Sequence, residues 1–110
     1  MNSHRMLNPE FKKRWSNFSL FEQLAHVGSD VDRALYWQGK GDTKTALNSL
    51  DIALELLDIT ISDSRWKSGL KELVRTREVL TDYFYGTNEF NTSDEFLKNY
   101  FLQFGLAARR

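Results

Sequence analysis

Residues 19–61 read SLFEQLAHVGSDVDRALYWQGKGDTKTALNSLDIALELLDITI. Ser19, followed three residues later by Glu22, is the capping-box pattern, in which each side chain accepts a hydrogen bond from the other residue's free backbone N–H. Leu20, Leu24, Val27, Gly28, Val31 and Leu35 recur every three or four residues, which places them on one face of a helix. Gly39-Lys40-Gly41-Asp42 then breaks the pattern: Gly39 suits a left-handed turn, and Asp42 suits the cap of a following helix. From about Thr43 to Ile61 a second helix carries Ala46, Leu47, Leu50, Ala53, Leu54, Leu57 and Ile61 on its main face. Ile52, Leu56 and Ile59 form a second apolar strip on roughly the opposite side. A helix apolar on two sides is covered on two sides. Either it is the central helix, or its second strip meets another subunit.

Working outward, Ser62-Asp63-Ser64 supplies turn and capping chemistry. A third helix is expected to present Trp66, Leu70, Leu73, Leu80 and Phe84 on one face and to end near Gly86. Residues 86–91 read as a loop, and Thr92-Ser93-Asp94-Glu95 as another capping box. The fourth helix shows Leu97, Tyr100, Phe101, Phe104 and Ala108 on one face, with Leu102 and Leu106 pointing the other way. Towards the N-terminus, Asn8-Pro9 is a helix start, with Asn at the cap and Pro at the first helical position. Phe11, Trp15 and Phe18 follow at spacings of four and three. No stretch alternates long enough to be a strand. The expectation is an all-α, antiparallel four-helix bundle over 19–110, with residues 1–18 as an arm carrying a short extra helix.

The chain has 110 residues, room for one domain, and its 15 basic and 15 acidic side chains cancel. It contains no Cys, which excludes a disulfide scaffold, a thiolate zinc site and a cysteine nucleophile. No apolar run spans a membrane and no secretory or lipidation signal is visible, so a cytoplasmic location is expected. Charge is uneven along the chain: residues 43–63 are acidic, and residues 64–82 are rich in Lys and Arg.

Chemistry is sparse. Glu22, His26, Asp30 and Arg33 follow at spacings of four, four and three, on the side of the first helix opposite its apolar face. A di-metal bundle needs four carboxylates and two Glu-x-x-His pairs facing inward; this sequence has Glu-x-x-x-His facing outward. No metal or other cofactor is expected, and no Ser-His-Asp set can be placed around the single body histidine. His26, Asp30, Arg33 and Trp37 instead read as a protein-binding face, since Trp and Arg anchor interfaces, unless the N-terminal arm covers Trp37. Ile52, Leu56, Ile59, Leu102 and Leu106 are the surplus apolar residues that a homo-oligomer would bury. Lys67, Lys71 and Arg75 make a basic stripe, to which Lys12, Lys13, Arg14, Arg109 and Arg110 add positive charge. This stripe is the alternative, a nucleic-acid surface, against the bland reading of a solvated helix face. Arg77 falls inside the apolar arc of the third helix and calls for Asp58 or Glu55 as partner.

Residues 34–58, with Gly41-Asp42 ahead of Ala46, Leu50 and Ala53, look like one tetratricopeptide unit. A solenoid needs about three, so this implies a helical hairpin only. The small-bundle plan is similar to that of the HEPN ribonucleases. Their catalytic motif, an Arg four to six residues before a His, is absent, which puts ribonuclease activity in doubt. The run His26-Val27-Gly28-Ser29-Asp30 to Trp37, Leu56-Leu57-Asp58, Arg77 to Phe84 and Tyr100 to Arg109 resembles small uncharacterised prokaryotic all-helical proteins. That resemblance implies a helical bundle and a prokaryotic source, and carries no site. The expected function is a non-enzymatic module that self-associates or docks on a protein partner.

Overall fold

The computed structural model describes residues 8–109; the first seven residues of the arm, and Arg110 of the basic set, lie outside the described residues. Local chemistry sets the helix starts. The Asn8 side chain accepts the Glu10 N–H at 2.7 Å and opens α1 (Pro9–Trp15), with Pro9 where its missing N–H costs nothing. The capping box opens α2 (Leu20–Gly39): Ser19 Oγ accepts the Glu22 N–H at 3.1 Å, and Glu22 Oε1 accepts the Ser19 N–H at 2.8 Å. Asp42 opens α3 (Thr43–Ile61), accepting from the Thr45 N–H at 3.1 Å and the Thr45 hydroxyl at 2.7 Å, which holds its carboxyl below the usual range. The left-handed residue of this turn is Gly41, at φ +81°, and not Gly39, which is still helical.

The third helix starts later than its apolar spacing suggests. Ser64–Gly69 is a 3-10 segment whose backbone departs from helical geometry at Trp66 (φ −102°, ψ 24°), and α4 (Leu70–Phe84) follows it. Asp63 causes the delay. Its carboxylate accepts the Arg65 N–H at 2.9 Å and the Arg65 guanidinium at 2.7 Å, closing a tight turn. Ser93 opens α5 (Asp94–Ala108), accepting the Phe96 N–H at 3.1 Å. No Thr92–Glu95 box forms, because Thr92 is held in the preceding loop: Asn88 Oδ1 accepts its N–H at 2.8 Å, and Asn88 Nδ2 donates to its carbonyl at 2.9 Å.

Contacts across the helices fix their directions. Gln23 meets Thr60, Arg77 meets Asp58, Tyr85 meets Asp51, Tyr100 meets Glu72 and Phe21 meets Phe104. From Arg77 to Tyr85 along α4 the partners on α3 step back from Asp58 to Asp51, and the start of α2 meets the end of α3 at Thr60 and the second half of α5 at Phe104, so α2 to α5 run up, down, up, down. No strand occurs among the described residues, and the fold is an all-α bundle. Its centre is α2, packed extensively on both α3 and α5; α3 in turn meets α4. Val27, Val31 and Ala34 of α2, Leu50 and Leu57 of α3, Leu73 and Leu80 of α4, and Leu97 and Phe101 of α5 share one buried cluster. Each fully buried side chain of this size contributes on the order of 1.5–3 kcal/mol.

Two features position everything else. At Gly28 the α5 helix comes so close that an added Cβ would lie 2.6 Å from the Phe101 Cβ. At the lower end of the bundle, a polar knot ties α1 to α2, α3 and the 3-10 segment. Trp15 Nε1 donates to the Thr60 hydroxyl at 3.1 Å, and that hydroxyl lies 3.0 Å from Gln23 Oε1 and 3.1 Å from the Leu56 carbonyl, which share its proton. Trp66 Nε1 donates to the same Gln23 oxygen at 3.2 Å, while Gln23 Nε2 donates to the Trp15 carbonyl at 2.9 Å. Gln23 and Thr60 are fully buried, and every one of these polar groups is satisfied, as burial requires.

Candidate interaction surfaces

The face expected from His26, Asp30, Arg33 and Trp37 is not one open patch. The α1 segment borders its lower part, where His26 stays exposed with its ring 5.6 Å from Trp15 and 5.1 Å from Phe18. Asp30 is buried and paired with Arg33 one turn on; burial pushes its carboxyl up, against the pull of that guanidinium. Trp37 is half-buried and edge-on to Tyr36 at 5.1 Å, while Trp15 of the arm lies lower down, beside His26. Glu22 is committed to its capping box.

The proposed oligomer strip on α3 divides. Leu56 is only 5% exposed and sits in the core cluster, with Ile52 and Ile59 half-buried against it. As an interface residue Leu56 is a correction. The strip looks surplus on a helical wheel because α4 and the 3-10 segment cover a second side of α3. On α5, by contrast, Leu102 is 54% exposed and Leu106 49%. Leu102 lines a groove of about 430 Å³ between α2 and α5, floored by Ala25, Gly28 and Gly105, and Leu106 follows one turn further along α5. On α2, one turn before Ala25, Phe21 is 47% exposed and lies 6.1 Å from Phe104. Asp32, Lys98 and Arg109 place both signs of charge along the same groove. Partial burial raises the Asp32 carboxyl, and Lys98 opposes the rise. Of the small residues on this floor only Gly28 stood out in the sequence, as part of the apolar face of α2, and only the approach of α5 makes a groove there.

A second depression, of about 190 Å³, lies between α4 and α5, walled by Val79, Phe96, Leu97 and Tyr100, with Glu72, Arg75 and Thr76 at its polar edge. The Tyr100 hydroxyl donates to Glu72 Oε2 at 2.8 Å and lies 2.9 Å from the Thr76 hydroxyl. Of the basic stripe, Lys67 is on the 3-10 segment and Lys71 on α4, both exposed, while the Arg75 guanidinium rests over the Phe90 ring at 5.0 Å. Arg77 is paired with Asp58, at 2.6 and 3.2 Å, on a partly exposed surface where such a pair contributes little.

Two of the four tyrosines are held protonated. Tyr100 is pushed up to about 12, mainly by burial and then by its bond to Glu72; Tyr85 reaches about 12 because its hydroxyl donates to Asp51 at 2.6 Å. Unfolded, each ionises near 10. The folded form therefore binds the proton more tightly, and this stabilisation is full below about 10 and is lost as pH rises towards about 12. Ultraviolet titration of tyrosinate should show a late step near 12 that shrinks in Tyr100→Phe. A single step near 10 for all four would refute it.

Comparison with family models, with curated proteins and with solved structures finds no match to the chain. Among the described residues, no helix is long and apolar enough to cross a membrane, and no group of three or more metal-ligating side chains is gathered.

Proposed function

We propose that this chain is a self-associating helical module, joined through the outer face of α2 and α5. The observation that carries the reading is the pairing, on one face, of exposed leucines with a groove of small residues. Leu102 and Leu106 are the knobs, and the floor at Ala25, Gly28 and Gly105 is the hole. A two-fold interface needs a face that complements itself, and knob and hole on the same face meet that need. Asp32 beside Lys98 and Arg109 supports it, because the two-fold sets acid on one copy against base on the other.

The test is native mass spectrometry of the untagged chain beside the Leu102→Glu, Leu106→Glu variant. Twice the chain mass is expected for the parent and a single mass for the variant, with unchanged helical circular dichroism. Each leucine is buried twice in a symmetric dimer, so the double change should weaken association at least about a hundredfold. A monomeric parent at concentrations of tens of micromolar (an order-of-magnitude choice) would overturn the reading.

A further inference from the structure

The α4–α5 cavity lies apart from the proposed self-association face and has a different character. Its walls are apolar: Val79, Leu97, and the rings of Phe96 and Tyr100, which lie 6.1 Å apart and within 20° of parallel. At about 190 Å³ it exceeds the roughly 150 Å³ that accommodates a benzene ring. A flat or branched apolar group therefore fits, with a few atoms left at the mouth.

Those atoms would meet two opposite charges. Glu72 and Arg75 both line the mouth, one helical turn apart on α4, a spacing that sets their Cβ atoms about 5–6 Å from each other. They are not ion-paired together. Glu72 accepts from Tyr100, and Arg75 lies over Phe90. The Glu72 carboxylate keeps a free oxygen for a cation, and the planar Arg75 fork suits a carboxylate. A simple amine would be opposed by Arg75, and a simple acid by Glu72. A zwitterion with both charged groups on one carbon satisfies both. Thr76, almost fully buried, fixes the Tyr100 hydroxyl and so keeps the ring and Glu72 in place before any ligand arrives.

We propose that this cavity binds a free α-amino acid with an apolar, preferentially aromatic, side chain. The ammonium lies on Glu72, the carboxylate on Arg75, and the side chain against Phe96, Tyr100, Val79 and Leu97. The experiment is calorimetric titration of the full chain with L-phenylalanine, phenethylamine and 3-phenylpropionate, followed on the backbone amides of α4 and α5 by NMR. Saturable binding of phenylalanine is expected, with each singly charged analogue at least about tenfold weaker. Glu72→Gln and Arg75→Gln, both at exposed positions, should keep the fold and each weaken phenylalanine by about tenfold. The Leu102→Glu, Leu106→Glu variant should bind it unchanged, which separates this site from the association face. No saturation up to about 10 mM, equal binding of phenethylamine, or full binding by Arg75→Gln would each overturn the assignment.

Discussion

Trp15→Ala should lower unfolding stability by about 3–5 kcal/mol, the range for deleting a large buried aromatic side chain. That is a large part of the 5–15 kcal/mol that holds a typical domain folded. The ring is 4% exposed, stacks on Phe11 at 6.1 Å, meets Phe18 edge-on at 5.7 Å and lies 5.6 Å from the His26 ring. Its loss opens a cavity and removes the N–H that Thr60 accepts. Trp15→Phe separates the two contributions, because it keeps most of the ring and deletes the donor. It should cost nearer 1 kcal/mol, the net worth of one hydrogen bond. Urea unfolding of the three proteins measures both. If Trp15→Ala unfolds at the parent's midpoint, α1 is not part of the folded core.

Gly28→Val should be comparably damaging, at about 3 kcal/mol, for the opposite reason: too much volume. The new Cβ would sit 2.6 Å from the Phe101 Cβ, an atom fixed to the α5 backbone that cannot swing aside. The two helices must separate, and the core between them loosens. Gly105→Ala is the internal contrast. Nothing lies within 4 Å of its added Cβ, so it should gain up to about 1 kcal/mol from helix propensity. The same methyl would rise into the floor of the proposed association groove, so that variant should be more stable and less dimeric. Thermal unfolding read together with native mass tests both statements. A Gly28→Val protein as stable as the parent would mean that α5 does not approach α2 as described.

Much of the fold was legible because it is written in local chemistry. Asn8, Ser19 with Glu22, and Asp42 each satisfy backbone groups within three residues of themselves, so their roles follow from spacing alone. Arg77 was readable for a related reason: a charge inside an apolar arc must find a partner, and Asp58 supplies it. What escaped depended on contacts distant in sequence. A helical wheel counts Leu56 as surplus because it does not show that α3 has neighbours on two sides. Trp66 matches the α4 spacing, yet Asp63 and Arg65 bend the chain before it. Within the face built on His26 and Trp37, the spacing could not show that Asp30 is buried while His26 and Arg33 stay exposed. The groove and the α4–α5 cavity each need two helices, so neither has a signature within one of them.

The polar knot also has a consequence for how the chain comes to be made. Trp15 leaves the ribosome well ahead of Thr60, its hydrogen-bond acceptor 45 residues further on, and Trp66 follows later still. During synthesis α1 is therefore available before its partners on α3 and the 3-10 segment and is seated only after them. Until α3 has been completed, a large indole ring has no place to go. The α1 segment thus acts as a closing latch, engaged only when the hairpin of α2 and α3 is already in place, and a nascent chain stalled before Thr60 would display that ring to whatever cellular machinery recognises unfinished proteins.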